Sequence, residues 1–207
     1  MADVAPTILT YPEVIFGANP LNTAGGDPTD TAHVFPVMVS DLRGLTAAYD
    51  ISFGGYVGGF NVAYDIWLSN SATATGRSAV SNEVMVWLHK GSFDEVGAVV
   101  GTYSKGDLSA KIYHSGTYTA IVAEHDLPAR TIDIADIFAK LGSLGILSST
   151  EYLRSVELGA EVVSGSGYLT VNDLSLQVTK AKVSGGTTLD TVTGAGTNVI
   201  DVAAPFL

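Results

Sequence analysis

Three segments of this chain place carboxylates beside aromatic or small residues on one side of an extended strand. The first is Asn82-Glu83-Val84-Met85-Val86-Trp87-Leu88. Successive side chains of a strand point to opposite faces. Val84, Val86 and Leu88 therefore read as core, and Glu83, Met85 and Trp87 share the other face. An indole stacks on the apolar face of a pyranose, and a carboxylate beside it supplies chemistry, so this face reads as the floor of a sugar cleft. The segment Asn61-Val62-Ala63-Tyr64-Asp65-Ile66-Trp67-Leu68 repeats the pattern, with Ala63, Asp65 and Trp67 opposite an apolar row. Both tryptophans of the chain are used in this way. In the third segment, Arg154 to Glu161, Val156, Leu158 and Ala160 face the core while Glu157, Gly159 and Glu161 face outward. Glycine between two acids leaves room for a ligand. Taken singly, an outward carboxylate is ordinarily just solvated, and a tryptophan is commonly core.

Most of the chain that must hold these segments reads as β. It has 207 residues, 46% of them apolar, which suits one domain with a sizeable core. The 23 glycines mark many short turns, and Val, Ile, Thr and Tyr dominate between them. Strands are expected at 7–16, 33–39, 46–54, 59–68, 82–89, 97–104, 109–114, 117–123, 152–163 and 167–180. Pro12 cannot donate to a ladder, which puts the first strand at an edge. Ile132, Ala135, Ile137, Phe138 and Leu141 recur at helical spacing, with Asp133 and Asp136 near the start. One helix is predicted at about 132–142. Residues 1–180 form the expected domain. Residues 181–207 form a tail, flexible or covering a sheet edge, with alternating pieces near Leu189–Val192 and Val199–Val202.

Composition excludes some partners. The formal charge of −11, without a basic cluster, repels nucleic acid. With no cysteine, thiol chemistry and zinc–thiolate sites are excluded. His33, His89, His114 and His125 lack paired metal spacing, and no metal or cofactor is called for. No apolar run reaches membrane-spanning length. Met1 to Pro6 has no basic-then-apolar pattern of a signal peptide.

Several stretches, in order, resemble glycoside hydrolase family 12 over roughly residues 8–179. They are Tyr11-Pro12-Glu13-Val14-Ile15-Phe16-Gly17, Ala63-Tyr64-Asp65-Ile66, Glu83-Val84-Met85-Val86-Trp87-Leu88, the turn at Gly97–Gly101, the helix near Asp133–Leu141, and Ser155 to Gly167. The resemblance implies a jelly-roll β-sandwich of two antiparallel sheets whose concave sheet forms a cleft. It implies a secreted enzyme that hydrolyses β-1,4-glucans, including mixed-linkage glucan or xyloglucan, with retention. It assigns Glu83 as nucleophile, Glu161 as acid/base and Asp65 as the acidic partner of the nucleophile. Trp67, Trp87 and Met85 would contact substrate.

Three features depart from the family pattern. The match begins almost at Met1, so the family's first strands would be absent, leaving an edge for the tail or another chain to cover. After Gly17 there is no aromatic residue. Val162-Val163 stands where proline-phenylalanine is expected. The alternative to an enzyme is a non-catalytic glycan-binding or structural jelly roll. The preferred glucan and the oligomeric state stay open.

Overall fold

The computed structural model describes residues 8, 10–21, 34–55, 57–181, 187–194 and 198–203. Period-two alternation builds most of them into strands. In chain order these are β1 (Glu13–Gly17), β2 (Val37–Met38), β3 (Leu42–Gly54), β4 (Val57–Phe60), β5 (Val62–Ser69), β6 (Val80–His89), β7 (Ala98–Lys105), β8 (Leu108–Ser115) and β9 (Tyr118–Ala123). Then come β10 (Ala129–Asp133), helix α1 (Ile134–Ser143), β11 (Tyr152–Gly159), β12 (Val162–Ala181), β13 (Thr187–Gly194) and β14 (Asn198–Ala203).

These strands form two sheets, and the fold is the jelly-roll sandwich. The cleft sheet runs β1-β11-β5-β6-β9-β8-β7, with β2 also on β11. The second sheet runs β10-β3-β12-β13, with β4 and β14 also on β12. The core lies between them. Val84, Val86 and Leu88 of β6 meet Leu45, Ala47 and Ile51 of β3 in one cluster, all at most 2% exposed. Edge strand β1 starts directly after Pro12, as the proline requires.

Two expectations need adjusting. The helix starts at Ile134, because Asp133 is its N-cap and accepts the Asp136 N–H at 3.0 Å. Ile132, counted with the helix by its spacing, pairs instead with Ala47 in β10. One ladder is also not antiparallel: β6 and β9 run parallel, Glu83 opposite Tyr118 and Trp87 opposite Val122. The chain leaves β6, forms the β7–β8 hairpin at the outer edge, and returns through β9 between β8 and β6. β9 is antiparallel to β8 and β8 to β7, so β9 runs in the direction of β7, which is also that of β6.

Strand β12 is the spine of the second sheet. β3 follows one side of it from Tyr168 to Lys180, and β4 continues along residues 162–165. β14 pairs with residues 166–171 and β13 with residues 174–181.

Candidate active site

Strand pairing brings the separate acid-bearing segments onto one surface. Across β11, β5, β6 and β9 the register aligns Ser155, Trp67, Glu83 and Tyr118 in one row. The next row holds Glu157, Asp65, Met85 and Ala120, and the next Gly159, Ala63, Trp87 and Val122. Strand β6, which carries Glu83, is anchored at its start. Asn82 faces away from Glu83 and donates Nδ2 to the buried Glu151 carboxylate at 2.9 Å, and Ser81 donates Oγ to the same oxygen at 2.6 Å. Glu161 lies just past the end of β11, where the chain crosses to β12. A cleft of about 350 Å³ opens over this surface, lined by Glu83, Glu161, Arg77, Trp87, Tyr118 and Phe93, with Ile8 and the 94–96 loop at its rim.

Burial governs the protonation of these acids, since a carboxylate removed from water loses its hydration. Glu83 is pushed up to about 7 by burial and then by the charge of Glu161, with Arg77 pulling the other way. Burial raises Glu161 above the usual carboxylate range, while a hydrogen bond from Asn61 opposes the rise. Asp65 is raised well above its ordinary value by burial, then by Glu83, Glu157, Glu161 and Glu13. Its Oδ1 has no hydrogen-bond partner among the described residues. Glu157 rises to about 9, through burial and then a hydrogen bond shared with Glu13. All four acids are thus pushed toward the protonated form, and burial is the first cause for each.

Glu83 and Glu161 thus share a cleft with Trp87, while Trp67 and Met85, also expected at substrate, are not in its lining. Trp67 is 7% exposed, does not line this cleft, and donates its indole N–H to Glu157 Oε2 at 3.2 Å. Met85 is fully buried and packs with Ala63, Trp87 and Ala120 beneath the surface. Trp87 lines the cleft, yet it is only 1% exposed because the Phe93 ring leans over it, 5.2 Å between centroids. The partly exposed rings of the cleft are Phe93 and Tyr118. Gly159 does not leave room for a ligand either. A Cβ there would meet Pro12 O at 2.5 Å, Glu13 Cβ at 3.0 Å and the Tyr11 ring at 3.0 Å. The glycine admits the chain's own N-terminal segment, and Tyr11 lies half-buried near the acids, its hydroxyl 3.4 Å from Ala63 O.

Sequence reasoning missed Arg77, Phe93, Tyr118 and Asn61. Arg77 heads a short 3₁₀ turn just before β6. Phe93 stands in the loop whose Lys90 pairs with Asp94 at 2.9 Å and Glu95 at 2.8 Å. Tyr118 continues the alternation of Ala120 and Val122, a signal usable only once β9 is known to lie beside β6. Among the described residues no group of three or more His, Asp or Glu side chains is placed to hold a metal ion.

A curved jelly roll with an acid-lined cleft defines the class, and comparison with known proteins defines the family. The chain matches the model of glycosyl hydrolase family 12 over residues 14–179. It belongs to that family. It is 23% identical to endoglucanase S of Pectobacterium parmentieri over 155 residues, covering 69% of this chain and 58% of that protein. It is 25% identical to xyloglucan-specific endo-β-1,4-glucanase A of Aspergillus aculeatus over 152 residues, covering 69% and 62%. An inactive glycoside hydrolase of Phytophthora nicotianae is 28% identical over 142 residues, covering 64% and 58%. The chain thus spans 58% to 62% of the length of these curated relatives. Among solved structures, the family 12 xyloglucanase of Bacillus licheniformis superposes with a TM-score of 0.73 at 27% identity, covering 86% of this chain and 78% of that one.

Proposed function

We propose that this chain is a secreted glycoside hydrolase that cleaves β-1,4-glucan chains with retention of anomeric configuration. The observation that carries the reading is the cleft shared by Glu83 and Glu161, two acids close enough that the charge of one raises the pKa of the other. A retaining pair stands about 5–5.5 Å apart. The Glu83 carboxylate attacks the anomeric carbon as the bond to the leaving oxygen breaks, and Glu161 gives that oxygen its proton. Glu161, now ionised, takes a proton from water, whose oxygen attacks the same carbon and releases Glu83. Buried Asp65, whose pKa is raised by burial and by the charge of Glu83, is the acidic partner of the nucleophile. Phe93 and Tyr118 supply the faces on which sugar rings stack. A neutral polysaccharide suits a protein of charge −11 better than a uronic acid polymer. The endoglucanase and xyloglucanase relatives support cellulose, mixed-linkage glucan and xyloglucan as the substrates to try. No helix among the described residues is long and apolar enough to cross a membrane.

The inactive relative supports a second reading, a family 12 domain that holds a glycan without cutting it. One experiment separates the two. Proton NMR of a fresh digest of barley mixed-linkage glucan should show the β-anomer of the new reducing end first, and Glu83→Gln should abolish release. Initial α-anomer overturns retention. An unchanged Glu83→Gln rate overturns the assignment of Glu83. No new reducing ends on any β-glucan favours the binding reading.

A further inference from the structure

Asn61 and Glu161 face each other where one ribbon bends from sheet to sheet. β5 and β11 form an antiparallel ladder in the cleft sheet, and β4 and β12 continue that ladder into the second sheet. The register, Ala63 with Gly159 on one side and Phe60 with Val162 on the other, makes Asn61 and Glu161 partners at the bend. Two such partners ordinarily exchange both backbone hydrogen bonds. Here the Asn61 N–H donates to Glu161 O at 3.1 Å, but the Glu161 N–H donates to the side-chain Oδ1 of Asn61, also at 3.1 Å. The remaining arm of the same side chain, Nδ2, donates to Glu161 Oε2 at 2.5 Å. Asn61 is fully buried.

We propose that Asn61 is the positioning residue of the acid/base: its amide holds Glu161 Oε2 and leaves Oε1 as the oxygen that carries the proton to the leaving group. This rests on the reading of Glu161 given above. An amide is suited to the task because its donor and acceptor are rigidly opposed, so fixing Oδ1 on the backbone fixes Nδ2 on the carboxylate. The donor also favours the ionised form, as the second step needs. The other groups that sense Glu161 are Glu83 from β6, Asp65 from β5, Tyr118 from β9 and Tyr11 from the N-terminal segment. None of them is cationic, so within this set Asn61 alone counters the rise.

The test compares Asn61→Ala and Asn61→Asp with the parent on two substrates: mixed-linkage glucan, whose leaving group needs a proton, and 2,4-dinitrophenyl β-cellobioside, whose leaving group does not. General acid catalysis contributes about 10²–10⁴-fold, and misplacing its donor should cost kcat at least about tenfold on the glucan. Glycosylation of the enzyme by the activated glycoside should be nearly unchanged in a pre-steady-state burst. The alkaline limb of kcat/KM on the glucan should move to higher pH, because loss of the amide donor raises the pKa of Glu161. Equal losses on both substrates with an unmoved pH limb would mean a merely structural corner and overturn the proposal. If the alanine variant does not fold, the aspartate variant, nearly identical in shape, carries the comparison. Glu161→Ala is the control for the underlying reading. It should lose activity on the glucan and regain turnover of the activated glycoside with azide, forming a β-cellobiosyl azide. A Glu161→Ala enzyme as active as the parent would sink the acid/base assignment itself, whereas an impaired Glu161→Ala beside parent-like Asn61 variants sinks the positioning role alone.

Discussion

At the residue scale, the acids of this surface store protons that the unfolded chain would release. Glu157 shows this best: it is 1% exposed, accepts from Ser155 Oγ at 2.7 Å and from the Trp67 indole, and is hydrogen-bonded to Glu13. Its pKa is about 9 in the folded protein against 4.5 in a free chain. A raised carboxyl pKa means the folded state binds more protons than the unfolded state between those two values. Stability is therefore full below about 4.5, falls as pH rises through the window, and levels off above about 9. One such group contributes a slope of at most about 1.4 kcal/mol per pH unit. Glu157→Gln keeps an acceptor for the indole but cannot ionise. Thermal unfolding of this variant should match the parent near pH 5 and exceed it near pH 9. A variant less stable than the parent at both pH values would show that Glu157 is not held protonated.

At the element scale, the N-terminal segment docks on β11 through a glycine. β1 pairs with β11 from Glu13 opposite Gly159 to Gly17 opposite Ser155, and Gly159 lets the Pro12 carbonyl and Tyr11 ring close over it. Gly159→Ala should push that segment off, because the new methyl meets a backbone carbonyl that cannot rotate away. We expect a loss of about 1–3 kcal/mol of stability, in the range for overpacking, with faster amide exchange confined to residues 10–17. Exchange unchanged there would show that the segment adapts. Gly159 also shows what could be read from the sequence. The face of each strand was legible, because alternation is local: Val84 and Val86 inside, Glu83 opposite, and likewise on β5 and β11. What lies across that face was not. The sequence shows a gap at Gly159 but not what fills it, and only pairing between distant strands brings Tyr118 beside Glu83. Short β10 was hidden by the apolar spacing of the helix that follows it. Asn61 carries no local mark, since its role exists only where two ladders bend together.

At the scale of the whole molecule, β12 joins everything on the second sheet. With β3 and β4 on one side, its other side is lined by β13 and β14. An unpaired strand edge invites aggregation, and the C-terminal strands close this one within the chain, without the association cost of a second copy. Deleting residues 182–207 should lower the unfolding midpoint and produce concentration-dependent association by light scattering. A truncated protein that stays monomeric with an unchanged midpoint would show that the edge needs no cover.

The parallel pairing of β6 with β9 also bears on how the molecule assembles. Glu83 meets its neighbour Tyr118 across the intervening β7–β8 hairpin, and β5, on its other side, must itself pair with β11, whose Gly159 comes from 96 residues beyond Ala63. Contacts between remote segments form slowly because loop closure must come before they are rewarded. The hairpin can form early on its own local contacts. By that measure the ladders between distant segments, β5 with β11 and β3 with β12, form after the hairpin, so a newly made chain can hold local secondary structure before the strands that carry Asp65 and Glu157 stand side by side.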